Sequence, residues 1–158
     1  MKIFISSDHA GYGLKEKLVP YLQGLGHEVE DKGPYEYNED DDYPDFIIPV
    51  AREVSTHPNE VRGIILGASG QGEAMTANKF SDVRAAVYYG QGQCIVQGEN
   101  DSIIKLSRQH NNANILSLGA RFITEEEMRQ VVKEWLDTPF LSDERHLRRI
   151  RKMARIHK

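Results

Sequence analysis

The densest chemical signal in the chain is the run Gly67-Ala68-Ser69-Gly70-Gln71-Gly72-Glu73-Ala74, which follows the apolar stretch Arg62 to Gly67 and opens a helical segment through Asn78 and Lys79. Glycines at a strand-to-helix turn let successive backbone N–H groups converge, and the positive end of the helix then favours negative charge. The turn reads as an anion cradle. It is not a dinucleotide fingerprint, because Met75 stands at the third glycine position, nor a phosphate-binding P-loop, because the lysine spacing fails. Glu73 falls in the first turn of that helix, where a carboxylate has two readings. It complements the helix dipole, worth about 0.3 to 1 kcal/mol, or it is a general base aimed into a crevice, with the N–H groups of Gly70, Gln71 and Gly72 and the Ser69 hydroxyl holding an oxyanion.

Three further polar groups fall at connections. Asp8 and His9 end the first apolar run, where Asp8 is either a helix N-cap or a group facing the site. Asp42-Tyr43-Pro44 closes a stretch, residues 36 to 45, that contains six acids. Ser107-Arg108-Gln109-His110-Asn111-Asn112 precedes the last apolar run. The tail from Asp143 to Lys158 carries seven Lys or Arg against two acids, so its +5 leaves −9 on the rest of a chain whose total is −4. The plain reading of these biases is a solvated loop and a solvated helix; the sharper one is a site rim and an anion clamp.

Five apolar runs supply the scaffold: Ile3 to Ser7, Val29 to Asp31, Arg62 to Gly67, Val83 to Tyr88 and Asn114 to Leu118. Most are continuous rather than alternating, as strands of a parallel sheet covered on both faces require. Between them lie helical spacings. Leu14, Leu18, Leu22 and Leu25 mark one helix, although Pro20 inside it costs about 3 kcal/mol in an undistorted interior and predicts a bend or another boundary. Pro44 suits the first turn of a helix carrying Phe46, Ile47, Val50, Ala51 and Val54. Thr124 and Glu127 form a capping-box signature ahead of Met128, Val131, Val132, Trp135 and Leu136, and a charged helix follows from Ser142. The alternation predicts a doubly wound α/β sandwich with its ligand beyond the carboxyl ends of the strands.

At 158 residues the chain matches one domain, and its 39% hydrophobic content supports one core. A net charge of −4 gives no drive toward nucleic acid. The single cysteine, Cys94, excludes an internal disulfide framework and a multi-cysteine zinc site, and fits a reducing compartment. No apolar run approaches the roughly 20 residues that span a bilayer, and Met1 to Ser7 lead into a strand without a signal-peptide pattern, so a cytoplasmic location is expected.

D-H-A-G at 8 to 11, D-Y-P at 42 to 44, G-x-S-G-x-G-E-x-x-x-A-N-K at 67 to 79, S-R-Q-H-N-N-A-N at 107 to 114, G-A-R at 119 to 121 and R-H-x-x-R at 145 to 149 occur together and in order. The combination resembles the type B ribose-5-phosphate isomerases, a family that also includes galactose-6-phosphate isomerase subunits, from about Lys2 to Arg155. The resemblance implies a single-domain, three-layer Rossmann-like sandwich with a five-stranded parallel sheet and helices on both faces. It also implies a homodimer, with a dimer of dimers left open, and a site shared between subunits. The implied reaction is aldose–ketose interconversion of a phosphosugar, without metal or organic cofactor. Many members place a cysteine base just before the glycine turn; Gly67 stands there in this chain, which is similar to the subgroup using the glutamate at position 73. By this resemblance Glu73 moves the proton while Ser69 and the cradle hold the enediolate, and His110 opens the sugar ring, with Asp8 as the competing candidate. His9 and Asn111 contact sugar or phosphate, and Asp42, Tyr43, Gly70, Gln71, Gly72 and Asn78 complete the substrate contacts. Arg145 and Arg149, four apart on one helix face with His146 beside them, form a phosphate clamp, because the guanidinium fork pairs with phosphate oxygens. The resemblance places that clamp, with Arg121, in the neighbouring subunit's site, reached by a basic helix spanning about 142 to 156.

One segment departs from the family pattern. Gly90 to Lys105 is roughly ten residues longer, and it either reshapes the sugar pocket, builds an oligomer contact or is a tolerated surface loop. Cys94 lies within it and is expected to be inert. Two other readings stay open: an isomerase of a hexose or tetrose phosphate, and a non-catalytic module that binds a phosphorylated metabolite.

Overall fold

The computed structural model describes residues 1 to 92 and 102 to 156. Cys94 and most of the longer 90 to 105 segment lie outside the described residues. Among the described residues five strands and six helices follow in the order β1 (Lys2–Ser7), α1 (His9–Gly24), β2 (Glu28–Asp31), α2 (Tyr43–Thr56), β3 (Val61–Gly67), α3 (Gln71–Ala77), β4 (Ala85–Tyr88), α4 (Ile103–Gln109), β5 (Ile115–Gly119), α5 (Glu125–Asp137) and α6 (Glu144–Met153). All pairings are parallel, in the order β2-β1-β3-β5-β4. The expected three-layer sandwich with a five-stranded parallel sheet is present.

Side chains alternate across each strand, so one continuous apolar run feeds two cores. Ile64 and Leu66 of β3 join Ile3, Ile5, Leu116 and Leu118 beneath α1 and α5, whose Leu18, Leu22, Met128, Val132 and Trp135 close that layer. Ile65 turns to the other face with Phe4 and Ile115, against Ile47, Val50, Ala51 and Val54 of α2. Full burial of each large aliphatic side chain stabilises by roughly 1.5 to 3 kcal/mol.

The register fixes where chemistry can occur. β1 is followed outward by β2, whereas the chain leaves β3 toward β5 and β4, so the direction of winding reverses between β1 and β3. Loops diverge at such a switch point and leave a crevice at the strand carboxyl ends. Ser7 pairs with Leu66 and Gly67 with Gly119, which puts Asp8, the glycine turn and Arg121 at the same end.

Several elements differ from expectation in detail. α1 runs through Pro20 rather than ending there; Pro20 and Glu16, whose carbonyl loses its helical donor, both face solvent. α2 likewise contains Pro49. α4 was not predicted, because seven residues with one buried pair, Ile104 and Arg108, give too little periodicity to read. Thr124 does cap α5, accepting from the Glu127 N–H at 3.2 Å. The Glu127 carboxylate instead accepts from the Tyr88 hydroxyl at 2.7 Å, and burial with this partner pushes the Tyr88 phenol up. Among the described residues no helix is long and apolar enough to cross a membrane.

Candidate active site

The turn after β3 is held from three sides. Gly70 adopts φ +74°, the left-handed conformation, at the N-cap of α3. The Ser117 hydroxyl donates to the Gly70 carbonyl at 2.6 Å. The N–H groups of Ala120 and Arg121 donate to the carbonyls of Gly67 and Ala68 at 2.8 and 3.1 Å, pinning the turn to the end of β5. Ser69 Oγ accepts from the Gln71 N–H at 3.3 Å, which leaves its own proton free to donate outward.

Glu73 does not point to bulk water; it is 4% exposed. Its carboxylate folds back over the last residue of β3, so that a Cβ built on Gly67 would lie 1.8 Å from Oε1. The side-chain space of residue 67 and the Glu73 carboxylate are one space. Burial pushes the Glu73 carboxyl above the usual carboxylate range, and the neighbouring Asp8 charge pushes it further against the pull of a backbone hydrogen bond.

Asp8 reaches this point because α1 starts hard against β3. Its N–H donates to the Leu66 carbonyl at 3.1 Å, and a Cβ at Gly11 would come within 2.6 Å of Leu66. Asp8 is the N-cap of α1, accepting from the Gly11 N–H at 2.9 Å, so the capping role weighed in the sequence is real. It is also buried next to the site, and its charge acts on both Glu73 and His9.

His9 Nδ1 lies 2.7 Å from Asp41 Oδ1. That hydrogen bond, with the charges of Asp8 and Asp41, raises the His9 pKa, while Arg121 opposes the rise. The Arg121 charge therefore acts on His9 of its own chain, and its N–H is bound to the glycine turn, whereas the resemblance grouped it with the neighbour's clamp. Tyr43 lies against Gly72. Asp42 is exposed at the N-cap position of α2 without a capping bond. Asp41 was not singled out from the sequence; only its place in the acidic run pointed to it.

The other candidates collect at the opposite end of the sheet. His110 caps the C-terminus of α4, ahead of β5, and its ring stacks on His146 with centroids 4.3 Å apart and planes at 11°. His146 thus turns into the protein, with Nδ1 buried and unpartnered, instead of facing out beside Arg145 and Arg149, which are both exposed. Asn111 lines a cavity of about 420 Å³ with Asn78, Arg84, Ser107, Ile150 and Met153. Asn78 donates to the Ala85 carbonyl at 3.0 Å and accepts from its N–H at 2.8 Å, tying α3 to β4 far from the glycine turn.

Within one chain the candidates therefore form two groups. Asp8, His9, Asp41, Tyr43, the 67 to 73 turn and Arg121 sit at the carboxyl ends; His110, Asn111, Arg145, His146 and Arg149 sit at the amino ends, roughly 15 Å away by strand length. The first group can remove and hold a proton beside an oxyanion cradle. The second supplies imidazole and guanidinium groups suited to a sugar phosphate. Among the described residues no cluster of three or more His, Cys, Asp or Glu has the geometry to hold a metal ion.

The family model described as Ribose/Galactose Isomerase matches residues 3 to 153. Ribose-5-phosphate isomerase B of Mycobacterium tuberculosis is 38% identical over 150 residues, covering 95% of this chain and 86% of the relative. The probable ribose-5-phosphate isomerase B of Mycoplasma genitalium is 37% identical over 156 residues, covering 99% and 95%. The crystal structure of ribose-5-phosphate isomerase B from Mycoplasma genitalium with bound ribulose-5-phosphate superposes with a TM-score of 0.89 at 36% identity, covering 99% of this chain and 95% of that one. A ribose 5-phosphate isomerase from Thermotoga maritima gives 0.82 at 40%, covering 98% and 97%. The matched span takes in residues of all five strands, the glycine turn and both polar ends, and the chain belongs to the ribose/galactose isomerase family.

Proposed function

We propose that this protein is an aldose–ketose isomerase that converts ribose 5-phosphate to ribulose 5-phosphate through an enediolate, with Glu73 as the base. The observation that carries the assignment of the base is the Glu73 carboxylate, buried in the side-chain space of Gly67 at the strand end that opens the glycine turn. A carbon-bound proton next to a carbonyl leaves readily only when the charge created is stabilised as the proton is taken. Glu73 takes the proton from C2 of the open-chain aldose; the C–H electron pair becomes the C1=C2 bond and the carbonyl π pair moves to O1. The N–H groups of Gly70 to Gly72 and the Ser69 hydroxyl hold that oxyanion. The O2 proton then passes to O1, an electron pair on O2 forms the C2=O2 carbonyl, and the C1=C2 pair takes the proton back from Glu73 at C1, giving the ketose.

A desolvated carboxylate with a raised pKa suits a base that must accept a weakly acidic proton and give it back. The two-ended distribution supports a site completed by a second copy of the chain in a homodimer. His110 of that copy is then the ring-opening group, with Asn111 beside it and Arg145 and Arg149 on the phosphate. Asp8, whose Oδ1 is already engaged as a helix cap, is the less suited of the two ring-opening candidates. The direct test is ketose formation from ribose 5-phosphate in chelator-treated buffer. Turnover that falls about 10²- to 10⁴-fold in Glu73→Gln with binding retained supports the assignment; full activity in that variant removes Glu73 as base. Binding without turnover in the parent protein favours the regulatory module, and faster turnover of a hexose or tetrose phosphate reassigns the substrate.

A further inference from the structure

We propose that Asp41 is a positioning residue for this reaction: it holds the ring of His9 through Nδ1, as orienting and charge partner, so that Nε2 is presented to the anionic end of the substrate. The inference rests on the isomerase reading for its substrate but not for its geometry. Asp41 Oδ1 lies 2.7 Å from His9 Nδ1, and the Asp41 side chain is only 4% exposed in a loop whose neighbours Glu39, Asp40 and Asp42 face solvent. Its second oxygen, Oδ2, is buried and has no hydrogen-bond partner among the described residues. A stability-driven sequence would not keep such an oxygen buried, since an unmet carboxylate lone pair costs free energy, and a neutral side chain there would cost less.

The loop carrying Asp41 is anchored well away from the site. The Lys15 ammonium, wholly buried, donates to Asp31 Oδ2 at 2.5 Å and to the Pro34 carbonyl at 2.8 Å. The Gly33 N–H donates to Asp31 Oδ1 at 2.8 Å, and the Tyr12 hydroxyl donates to the Tyr35 carbonyl at 3.2 Å. The Tyr37 ring meets the His9 ring edge-on at 6.3 Å. These ties hold the loop against α1 and bring Asp41 over His9 at the start of the same helix. A histidine held by a carboxylate at one ring nitrogen presents the other in a fixed direction.

The charged groups facing His9 are Asp8 from the β1 end, Asp41 from the loop and Arg121 from the β5 end. The two carboxylates favour the imidazolium and the guanidinium opposes it, so removing the Asp41 charge lowers the pH at which His9 loses its proton. The His9 ring protons, followed by NMR and assigned with a His9→Gln variant, are expected to titrate above the ordinary histidine value of about 6.5 in the parent and lower in Asp41→Asn. The KM for ribose 5-phosphate rises at pH 8 by about tenfold for each unit the midpoint falls. At pH 6 the KM stays near that of the parent, and kcat is unchanged at both values. Asp41→Glu retains most of the raised midpoint, and the exposed Asp40→Asn leaves it alone. An unmoved His9 midpoint in Asp41→Asn, an equal shift in Asp40→Asn, or a fall in kcat at constant KM overturns the proposal. Should the parent protein fail to turn over ribose 5-phosphate, the isomerase reading falls while the NMR titration, with inorganic phosphate as the probe of anion binding at His9, still decides the role of Asp41.

Discussion

The competition between Gly67 and Glu73 for one volume has consequences that mutagenesis can read. In Gly67→Ala the new Cβ would stand 1.8 Å from Glu73 Oε1, so the carboxylate must leave its seat. We expect activity to fall by about the 10²- to 10⁴-fold that loss of a general base produces, and the Gly67→Ala, Glu73→Gln double variant to be no worse than either single one. Additive losses would show that the two residues act separately. The same burial sets a pH-dependent stability. Because the folded-state pKa of Glu73 is raised, the protonated form fits the fold better, and that advantage is lost as pH rises through the raised value. Glu73→Gln removes the cost of burying the charge, so its melting temperature should exceed that of the parent at pH 8. The gain should shrink as pH falls and vanish near pH 3, below the ordinary glutamate value of about 4.3, where the parent carboxyl is neutral in both the folded and unfolded states. Equal melting temperatures at pH 8 would contradict a buried, ionised Glu73. The wider lesson is that a site can stay destabilised where chemistry needs it.

At the scale of elements, the start of α1 shows how packing positions chemistry. Gly11 abuts Leu66, with 2.6 Å to a built Cβ, whereas Gly13, one half-turn on, meets nothing within 4 Å. Gly11→Ala should therefore push α1 off β3, costing about 1 to 3 kcal/mol and carrying Asp8 and His9 away from Glu73. Gly13→Ala should stabilise by up to about 1 kcal/mol through helix propensity alone. Opposite signs in paired thermal melts test this, and equal effects would refute the contact. The case also explains what was legible in the sequence. The glycine turn, Glu73, Asp8 and His9 could be found because a strand end followed by glycine and an acid is a local pattern. Asp41 could not be told from Asp40 or Asp42, since the choice among them is made by Lys15 and Asp31 anchoring the loop from another element. Asn78 lies in the same motif as Glu73, yet its helix ends at the amino end of β4, where its amide serves Ala85. His146 looked like a companion of the flanking arginines because spacing along a helix does not say which face meets His110.

The whole molecule is electrically lopsided in a way that matches the two-ended distribution of its candidate residues. The tail from Asp143 carries +5 against −9 on the remainder, with the acidic run at the Glu73 end and the basic helix at the His110 end. Two copies related by a twofold axis can bring the basic end of each to the acidic end of the other, and such complementary charge steers association and falls with added salt. If each site draws Glu73 from one copy and His110 and Arg149 from the other, two defects on different chains should rescue one another. Arg149→Ala alone should raise KM for ribose 5-phosphate with a smaller change in kcat, because it removes binding common to ground and transition states. Glu73→Gln and His110→Ala homodimers should each be nearly inactive. Refolded together in equal amounts, they should recover about one quarter of parental activity, since about half the random dimers are mixed and each of these holds one intact site of two. The recovered KM should match the parent, because the rebuilt site contains every parental group. A mixture no more active than its components would place all catalytic groups within a single chain, which the roughly 15 Å between the two ends of the sheet opposes.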